Sequence, residues 1–323
     1  MRNQLRIAVV AASLAPLIGV MGSTVGLAQY KSGTQIVPLT VTVTDRSGRY
    51  VAGLPAAAFT IFEDGRRQTL AYFSAVDAPV DLALLLDNSS SMRSDFRLAQ
   101  EAACGLARRM RAADRVALSG ISSETFIAQP LTSDLDRVDQ AIRTMQVFGP
   151  TAIYEGLYVL LRELQRAHHA ESEPRRRAIV LLSDGLDTAS RIEFDHVLDS
   201  VRRSDVVVYV ILLERDIKAA INSDESSEAF RARFAMRSLA RESGGHIFTP
   251  QIAGELPAIY DAIAHELRHQ YLLGYTPERQ DADGAFRRIS VAVHHPAVVQ
   301  ARTRAGYYAV PTRTARAGAG DRH

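Results

Sequence analysis

Hydrophobic and polar residues alternate near the start of the chain, which is the pattern of a strand with one buried face. Between residues 37 and 43 every second position is Val or Leu, and Pro38 or a threonine stands between them. Further strands are predicted at Phe59–Glu63 and Arg67–Phe73, joined by the hairpin dipeptide Asp64-Gly65. Three strands of this length cannot form a core alone.

A different pattern begins at Val80. Five apolar residues follow Asp81 without interruption and polar residues come next, which is typical of a strand buried on both faces of a parallel sheet. Helices with one apolar stripe then alternate with further strands. The predicted helices are Ser94–Arg111, a helix capped by Ser133, Ile153–Ala167, Glu193–Arg203, Ser227–Glu242 and Glu255–Gln270, and the later strands are Arg115–Ile121, Thr125–Gln129, Ala178–Leu182, Val206–Leu213 and His246–Thr249. This alternation predicts an α/β fold with a doubly wound, mostly parallel six-stranded sheet.

The alternating pattern of strands returns after Gln270. Strands are predicted at Tyr271–Tyr275, Arg288–Val293 and Val298–Tyr308. The simplest assembly pairs both flanks into one small β-sandwich, with the α/β domain inserted between them. The predicted organisation is a signal peptide at 1–28, the two parts of the sandwich at 29–77 and 271–310, the α/β domain at 78–270 and a disordered tail at 311–323.

The first 28 residues have the features of a secretory signal peptide. Two arginines precede the apolar stretch Ile7–Met21, and Gly26-Leu27-Ala28 is a small-x-small cleavage pattern. A retained membrane anchor is the alternative, but the stretch is shorter than the ~20 residues of a spanning helix and contains Pro16 and Gly19. No other segment is apolar enough to span a membrane. We therefore predict an extracytoplasmic protein, periplasmic or secreted, without a membrane span after cleavage.

Composition narrows the classes of function. Hydrophobic residues make up 47% and charged residues 23% of the 323 positions, which is a globular balance. The formal net charge is +2, and loss of the two signal arginines leaves the mature chain near neutrality, so no nucleic-acid binding is expected. The single cysteine, Cys104, excludes an internal disulfide and a cysteine metal cluster, and we expect it to pack as a small apolar residue.

Hydroxyl and carboxylate side chains follow two of the predicted strands. Asp87, Ser89 and Ser91 form a D-x-S-x-S motif after the first buried strand, and Ser183–Asp187 follows the strand at 178–182. Gly149–Ile153, which contains a threonine, precedes a helix. Because open parallel sheets place their ligand sites at the carboxyl ends of strands, these side chains are expected at one edge. Ligation by oxygen alone favours a hard divalent cation, Mg²⁺ first, with Mn²⁺ or Ca²⁺ as alternatives.

At these residues the chain resembles the von Willebrand factor type A domain and its metal-ion-dependent adhesion site. The resemblance covers roughly residues 78–270 and rests on three motifs in order: D-x-S-x-S-M, G-x-T-A-I-Y-E and L-L-S-D-G-L-D. It differs at Asn88 and Pro150, where the family often has glycine, but no ligand position is lost. The resemblance implies three hydroxyl ligands, Ser89, Ser91 and Thr151, and two carboxylates bound directly or through water, Asp87 and Asp184.

The flanks carry a narrower resemblance. Glu266–Pro277, together with Phe59–Gly65, is similar to a group of bacterial secreted von Willebrand factor A-related proteins. This resemblance indicates the architecture of the protein more than its biochemical function.

Charge counting suggests how such a site would work. Three neutral hydroxyls quench little of a divalent charge, so the cation remains electrophilic with one of its about six positions open. A Glu or Asp of another protein can fill that position. The predicted function is a secreted, metal-dependent protein-binding module, with Glu214–Glu228 as a candidate specificity loop at the same edge.

Other interpretations of the same residues remain open. Ser89 and Ser91 could cap the following helix, and the domain could be structural, with no partner. Asp187 is expected to be a turn residue rather than a ligand.

An enzyme is the main rival. His265, Glu266 and His269 match the H-E-x-x-H pattern of zinc metallopeptidases, with the glutamate as general base. Arg268 would place a positive charge near that zinc, and no third ligand motif follows. No nucleophile–base pair is evident elsewhere, so we predict that the protein is not an enzyme.

Overall fold

The computed structural model describes residues 36–75, 78–122, 125–169, 174–213, 226–298 and 300–309. The predicted signal peptide, the tail and nearly all of Glu214–Glu228 lie outside these residues. Within the described segments, no helix is both long and apolar enough to cross a membrane. The strands are β1 Val37–Thr44, β2 Phe59–Glu63, β3 Arg66–Gln68, β4 Leu70–Ala75, β5 Val80–Leu86, β6 Arg115–Ile121, β7 Thr125–Thr132, β8 Arg176–Ser183, β9 Val207–Leu212, β10 Ile247–Phe248, β11 Tyr271–Tyr275, β12 Phe286–Val293, β13 Gln300–Arg302 and β14 Gly306–Tyr308. The helices are α1 Phe96–Ala107, α2 Leu135–Thr144, α3 Ile153–His169, α4 Phe194–Arg203, α5 Ser226–Ser243 and α6 Leu256–His269.

A six-stranded central sheet in the order β10-β9-β8-β5-β6-β7 forms the middle of the α/β unit. Strand β7 runs antiparallel to β6, and the other neighbouring pairs are parallel. Helices α1, α2 and α6 cover one face and α3, α4 and α5 the other. All residues of β5 are buried because helices cover both faces of the sheet. The predicted fold class is confirmed, and Cys104 is buried in the core of the first face.

The order of the central strands creates a switch point between β5 and β8. The chain leaves β5 toward β6 on one side and later returns to β8 on the other. These two strands pair in register, with Leu86 opposite Leu182, so their carboxyl ends lie side by side. Open α/β sheets bind their ligands at such a point.

The two flanks combine into a pair of antiparallel sheets. One has the order β13-β1-β11-β4 and the other β14-β12-β2-β3, so each contains strands from both ends of the chain. Their facing side chains share one core, which includes Leu39, Ile61, Leu273 and Ile289. The predicted sandwich is thus present, whereas the predicted domain limits stay a prediction.

Two predicted strands in the flanks were wrong as single elements. The predicted strand Arg67–Phe73 divides at Thr69 into β3 and β4, which belong to different sheets. Val298–Tyr308 divides in the same way into β13 and β14. A chain that turns the corner of a sandwich keeps its alternation of apolar residues, and the pattern therefore hides the crossing.

Two helix starts also differ from the prediction. Helix α2 is capped by Asp134 rather than Ser133, and the Asp134 carboxylate accepts a hydrogen bond from the Arg137 backbone N–H at 3.3 Å. A carboxylate suits this position because it also complements the helix dipole. Helix α1 begins at Phe96 instead of Ser94 because Ser90–Ser94 forms a 3-10 turn first.

A close backbone approach at Gly245 gives a testable stability effect. A Cβ atom at this position would stand 1.9 Å from the carbonyl oxygen of Val208 in β9. We expect Gly245→Ala to lower the free energy of unfolding by about 3 kcal/mol, because the backbones of two elements would have to separate. Urea unfolding measures the loss. Gly254→Ala is the control, since its new Cβ would meet only Ile252 Cδ1, at an ordinary contact distance of 3.7 Å. Equal urea midpoints for the two variants would contradict the destabilisation expected from the close approach at Gly245.

Candidate metal site

Three loops meet at the switch point of the central sheet. Loop 1 (residues 87–91) follows β5, loop 2 (146–152) precedes α3, and loop 3 (183–190) begins at the last residue of β8. Loops 1 and 2 are joined by backbone hydrogen bonds from Phe148 to Asn88 at 2.9 Å and from Ser90 to Gly149 at 3.0 Å. Loops 2 and 3 are joined because the Thr151 carbonyl accepts from two backbone N–H groups of loop 3 at 2.9 Å. The motifs predicted to converge therefore lie on connected loops.

Asp87 is the buried carboxylate of loop 1. It accepts hydrogen bonds from the Ser89 backbone N–H at 2.9 Å and from the Ser183 hydroxyl at 2.6 Å. Burial raises the pKa of Asp87 to about 6, the hydrogen bonds from Ser183 and Ser89 oppose this rise, and the charge of Asp184 adds to it. Asp184 thus lies near the buried Asp87 carboxylate, whose charged form a nearby cation would favour.

The two serine hydroxyls of the motif also lie together. Ser89 Oγ and Ser91 Oγ are 2.9 Å apart, with Ser89 buried and Ser91 exposed. Among the described residues, Ser89 makes no side-chain capping bond to the 3-10 turn that follows it, and the residue before α1 is Asp95. The capping alternative is therefore not observed, and the two hydroxyl oxygens form an adjacent pair.

Hydrogen bonds with loop 3 position both Thr151 and Asp184. The Thr151 backbone N–H donates to Thr188 Oγ1 at 3.0 Å, and Asp184 Oδ1 accepts from the Leu186 backbone N–H at 3.2 Å. Both residues are buried. Direct hydrogen bonds thus connect Asp87, Ser89 and Ser91 of loop 1. Thr151 is linked to loop 3 through backbone hydrogen bonds, and Asp184 interacts with Asp87 through its charge. The five-residue ligand set itself stays a prediction.

The available donors decide which ion would fit. All five predicted ligand side chains offer oxygen, and three of them are neutral hydroxyls. In the described part of the chain, no group of three or more His, Cys, Asp or Glu residues could hold a metal ion. A site here would consequently depend on hydroxyl ligands and suit a hard divalent cation.

The sequence prediction missed several residues that position the site. The Ser183 hydroxyl bonds to Asp87 and accepts from the Gly185 backbone N–H at 3.0 Å, which links loops 1 and 3. The sequence places Ser183 at the end of a strand, but it does not show that this strand lies beside β5. Asn88, noted as a departure from the family pattern, is buried and donates to the Gln146 carbonyl at 2.8 Å, which adds a side-chain link from loop 1 to loop 2.

Asp187 has a positioning role. Its carboxylate accepts from the backbone N–H groups of Tyr154 at 2.9 Å and Ser190 at 3.0 Å, and from the Ser190 hydroxyl at 2.7 Å. It therefore stabilises the turn of loop 3 and the start of α3. This agrees with its prediction as a turn residue.

The H-E-x-x-H motif on α6 is arranged differently from a peptidase site. Glu266 is buried, accepts hydrogen bonds from Thr42 at 2.9 Å, Tyr209 at 2.8 Å and Tyr50 at 3.0 Å, and forms an ion pair with Arg302. Burial alone would raise the pKa of Glu266, but the charge and hydrogen bond of Arg302, with the hydroxyls, lower it. A carboxylate engaged in this way is not free to act as a general base.

The two histidines of that motif stack on each other. The ring centroids of His265 and His269 are 4.2 Å apart, and His269 Nδ1 lies 2.6 Å from the His265 carbonyl oxygen. That nitrogen is therefore engaged with the helix backbone. Together with the engaged Glu266, this geometry disfavours the zinc peptidase interpretation.

Comparison with known proteins bears on the fold of the α/β unit. Residues 82–186 match the family model of the von Willebrand factor type A domain. An uncharacterized protein of Borreliella burgdorferi is 22% identical over 234 residues, which cover 68% of this chain and 63% of that protein, so the chain spans less than two thirds of that relative. Solved structures with a similar fold include a von Willebrand factor type A protein from Catenulispora acidiphila (TM-score 0.50, 10% identity, 86% of this chain and 74% of that one). Another is proximal thread matrix protein 1 from the mussel byssus with a zinc-occupied MIDAS motif (TM-score 0.46, 17% identity, 62% and 47%). Residues 82–186 thus match the von Willebrand factor type A family, and the α/β unit that contains them has the fold of such a domain.

Proposed function

We propose that this protein is a metal-dependent, adhesion-type binding module that takes a carboxylate of another protein as the last ligand of its cation. The proposed metal ligands are Asp87, Ser89, Ser91, Thr151 and Asp184. The observation that carries the proposal is the pair of serine hydroxyls 2.9 Å apart next to the buried Asp87 carboxylate. Oxygen ligation favours Mg²⁺, with Mn²⁺ or Ca²⁺ as alternatives.

The charge of the site explains why an acidic group is the expected partner. Two carboxylates and three neutral hydroxyls do not saturate a hard divalent cation, which would remain a Lewis acid toward an incoming anion. Asp87 is bound on both oxygens by Ser89 and Ser183, so this chain holds it as a fixed anchor. A Glu or Asp side chain on another protein has the charge and the oxygen donors to complete the shell.

The proposed location is outside the cytoplasm. It rests on the arginines, the apolar stretch and the small-x-small pattern of residues 1–28. The domain limits 29–77, 78–270 and 271–310 belong to the same proposal. A binding module of this kind would meet its partner in the envelope or outside the cell.

Capture of envelope proteins tests the metal dependence. With Mg²⁺ present, immobilised protein should capture a partner that EDTA releases and that the double variant Ser89→Ala/Ser91→Ala fails to capture. Ser90→Ala is the matched control, because its side chain lies outside the D-x-S-x-S pattern and only its backbone N–H bonds to Gly149. The control should capture as the native protein does.

Chemical modification tests the role of the carboxylate. Amidation of the carboxyl groups in the extract with a carbodiimide and glycine methyl ester should abolish the EDTA-sensitive capture. Capture that survives EDTA, the double variant and amidation would contradict the proposal. An absence of any Mg²⁺-dependent capture would favour a purely structural domain.

A further inference from the structure

An apolar groove lies beside the candidate metal site, between loop 3, α3, α4 and α5. Its volume is about 490 Å³, and its lining includes Tyr154, Leu186, Phe194, Phe230 and Phe234. The rings of Tyr154 and Phe194 contact each other, with centroids 5.8 Å apart. Aromatic side chains of three helices therefore surround one surface depression.

Two of these phenylalanines are unusually exposed. Phe230 is 70% and Phe234 57% exposed, and they lie one turn apart on the same face of α5. Large aromatic groups in water are unfavourable, and a contiguous group of them marks an interaction site more often than a scattered single residue does. This face of α5 therefore has the character of a binding surface.

The groove is continuous with the candidate metal site through loop 3. The Leu186 backbone N–H donates to Asp184 Oδ1 at 3.2 Å, while the Leu186 side chain lines the groove. Asp187 lines it as well and is bonded to the Tyr154 backbone at 2.9 Å. A polypeptide that reached the cation with its carboxylate would therefore have the groove next to it.

We infer that the groove binds the same partner as the cation, which rests on the function proposed above. The occupant is an acidic segment of the partner polypeptide, with its carboxylate on the cation and a large aliphatic or aromatic side chain between Phe230 and Phe234. The exposed Arg231 lines the same groove and supplies a positive charge that complements an acidic segment, whereas the Asp187 carboxylate of the lining is already engaged by Tyr154 and Ser190. Charge and apolar contact together would select such a partner over a polypeptide that offers a carboxylate alone.

Peptide selection tests the inference even though the partner is unidentified. A random peptide library displayed on phage would be selected on the whole mature protein in Mg²⁺ and eluted with acid, and the recovered phage would then be tested for binding in EDTA. The expected result is enrichment of Asp or Glu with Phe, Tyr, Leu or Ile at one constant spacing. The leading sequence would be synthesised with a fluorescent label, and its dissociation constant measured by anisotropy.

The groove variants then separate the two binding elements. Phe230→Ser/Phe234→Ser should weaken the selected peptide at least about 30-fold while Mg²⁺ binding is unchanged. Ile252→Ser is the control, because Ile252 is 60% exposed and precedes a segment packed on the opposite face of the central sheet. All three substitutions remove exposed side chains, so thermal midpoints should match that of the native protein.

The outcomes distinguish failure of the groove from failure of the metal site. EDTA-sensitive peptides with an acidic residue but no apolar partner, or equal affinity for the groove variant, would overturn the groove and leave the proposed function standing. Peptides that bind equally well in EDTA would overturn the proposed function and this inference with it.

Discussion

Replacing Glu266 with alanine should lower the free energy of unfolding by about 3–5 kcal/mol, since it leaves one charge of a buried ion pair without its partner. The Glu266 side chain is 2% exposed and its partner Arg302 24%. The carboxylate also accepts from Thr42 of β1 and Tyr209 of β9, so its removal affects both parts of the molecule. Urea unfolding, followed by circular dichroism, measures the effect. A loss below about 1 kcal/mol would contradict this role.

Glu266→Gln gives the pH dependence of the same network. The pKa of Glu266 is lowered from its ordinary value of 4.5 in the folded protein, despite burial, by Arg302 and the hydroxyl donors. Its charge therefore stabilises the fold above about pH 4.5, and that contribution is lost as the pH falls through the folded pKa. The stability difference between native protein and Glu266→Gln should be constant near neutral pH and shrink in acid. A difference that grew in acid would have the wrong sign.

The Glu266 network also explains the segment that carried the flank resemblance. Gln270 donates to the Tyr209 hydroxyl at 2.8 Å, and the Tyr271 hydroxyl donates to the Val51 carbonyl at 2.9 Å while accepting from the Leu54 N–H at 3.0 Å. These side chains join α6 and β11 to the N-terminal flank and to β9. Glu266, Gln270 and Tyr271 thus stabilise the fold, and this network accounts for the glutamate of the H-E-x-x-H pattern.

The sequence predicted the α/β unit better than the flanks for a physical reason. Strands buried on both faces and helices with one apolar stripe leave distinct periodicities, and the predicted Ala178–Leu182 and Glu193–Arg203 differ from β8 and α4 only at their ends. The strands of the sandwich were harder to predict, because the chain changes sheets at Thr69 without interrupting the alternation of apolar and polar residues. The pairing of the two flanks could be proposed because the short N-terminal strands cannot form a core alone, but the register in which their strands pair could not be predicted.

Only those residues of the candidate site that belong to local sequence motifs could be predicted. Local motifs identify oxygen donors such as Ser89 and Asp184, since those residue types follow strand ends. Ser183 was missed because its role depends on β5 and β8 being neighbours, which is a property of the sheet order. The Glu266 network was missed because Thr42, Tyr209 and Arg302 are far apart in the chain.

Asp87→Asn should abolish the stabilisation by Mg²⁺ without weakening the metal-free protein. A ligand that binds only the folded state stabilises it by about 2.7 kcal/mol at 100 times its dissociation constant. The variant removes one proposed ligand charge, and we expect its affinity for Mg²⁺ to fall more than about 100-fold. The amide has the same shape, can still accept from the Ser89 N–H, and can donate to Ser183. Because burial and Asp184 both disfavour the Asp87 charge, the metal-free variant should be at least as stable as the native protein.

Thermal unfolding with and without Mg²⁺, together with calorimetric titration of Mg²⁺ and Mn²⁺, measures both halves of this expectation. The Ser90→Ala control should keep the full metal-dependent rise in Tm, because its change lies beside the ligand positions and removes none of them. A rise that persisted in Asp87→Asn would mean that the cation binds elsewhere. If the metal-free variant were much less stable than the native protein, the Asp87 charge would stabilise the fold even without a cation. That result would contradict the expectation that this buried charge lowers the stability of the metal-free protein.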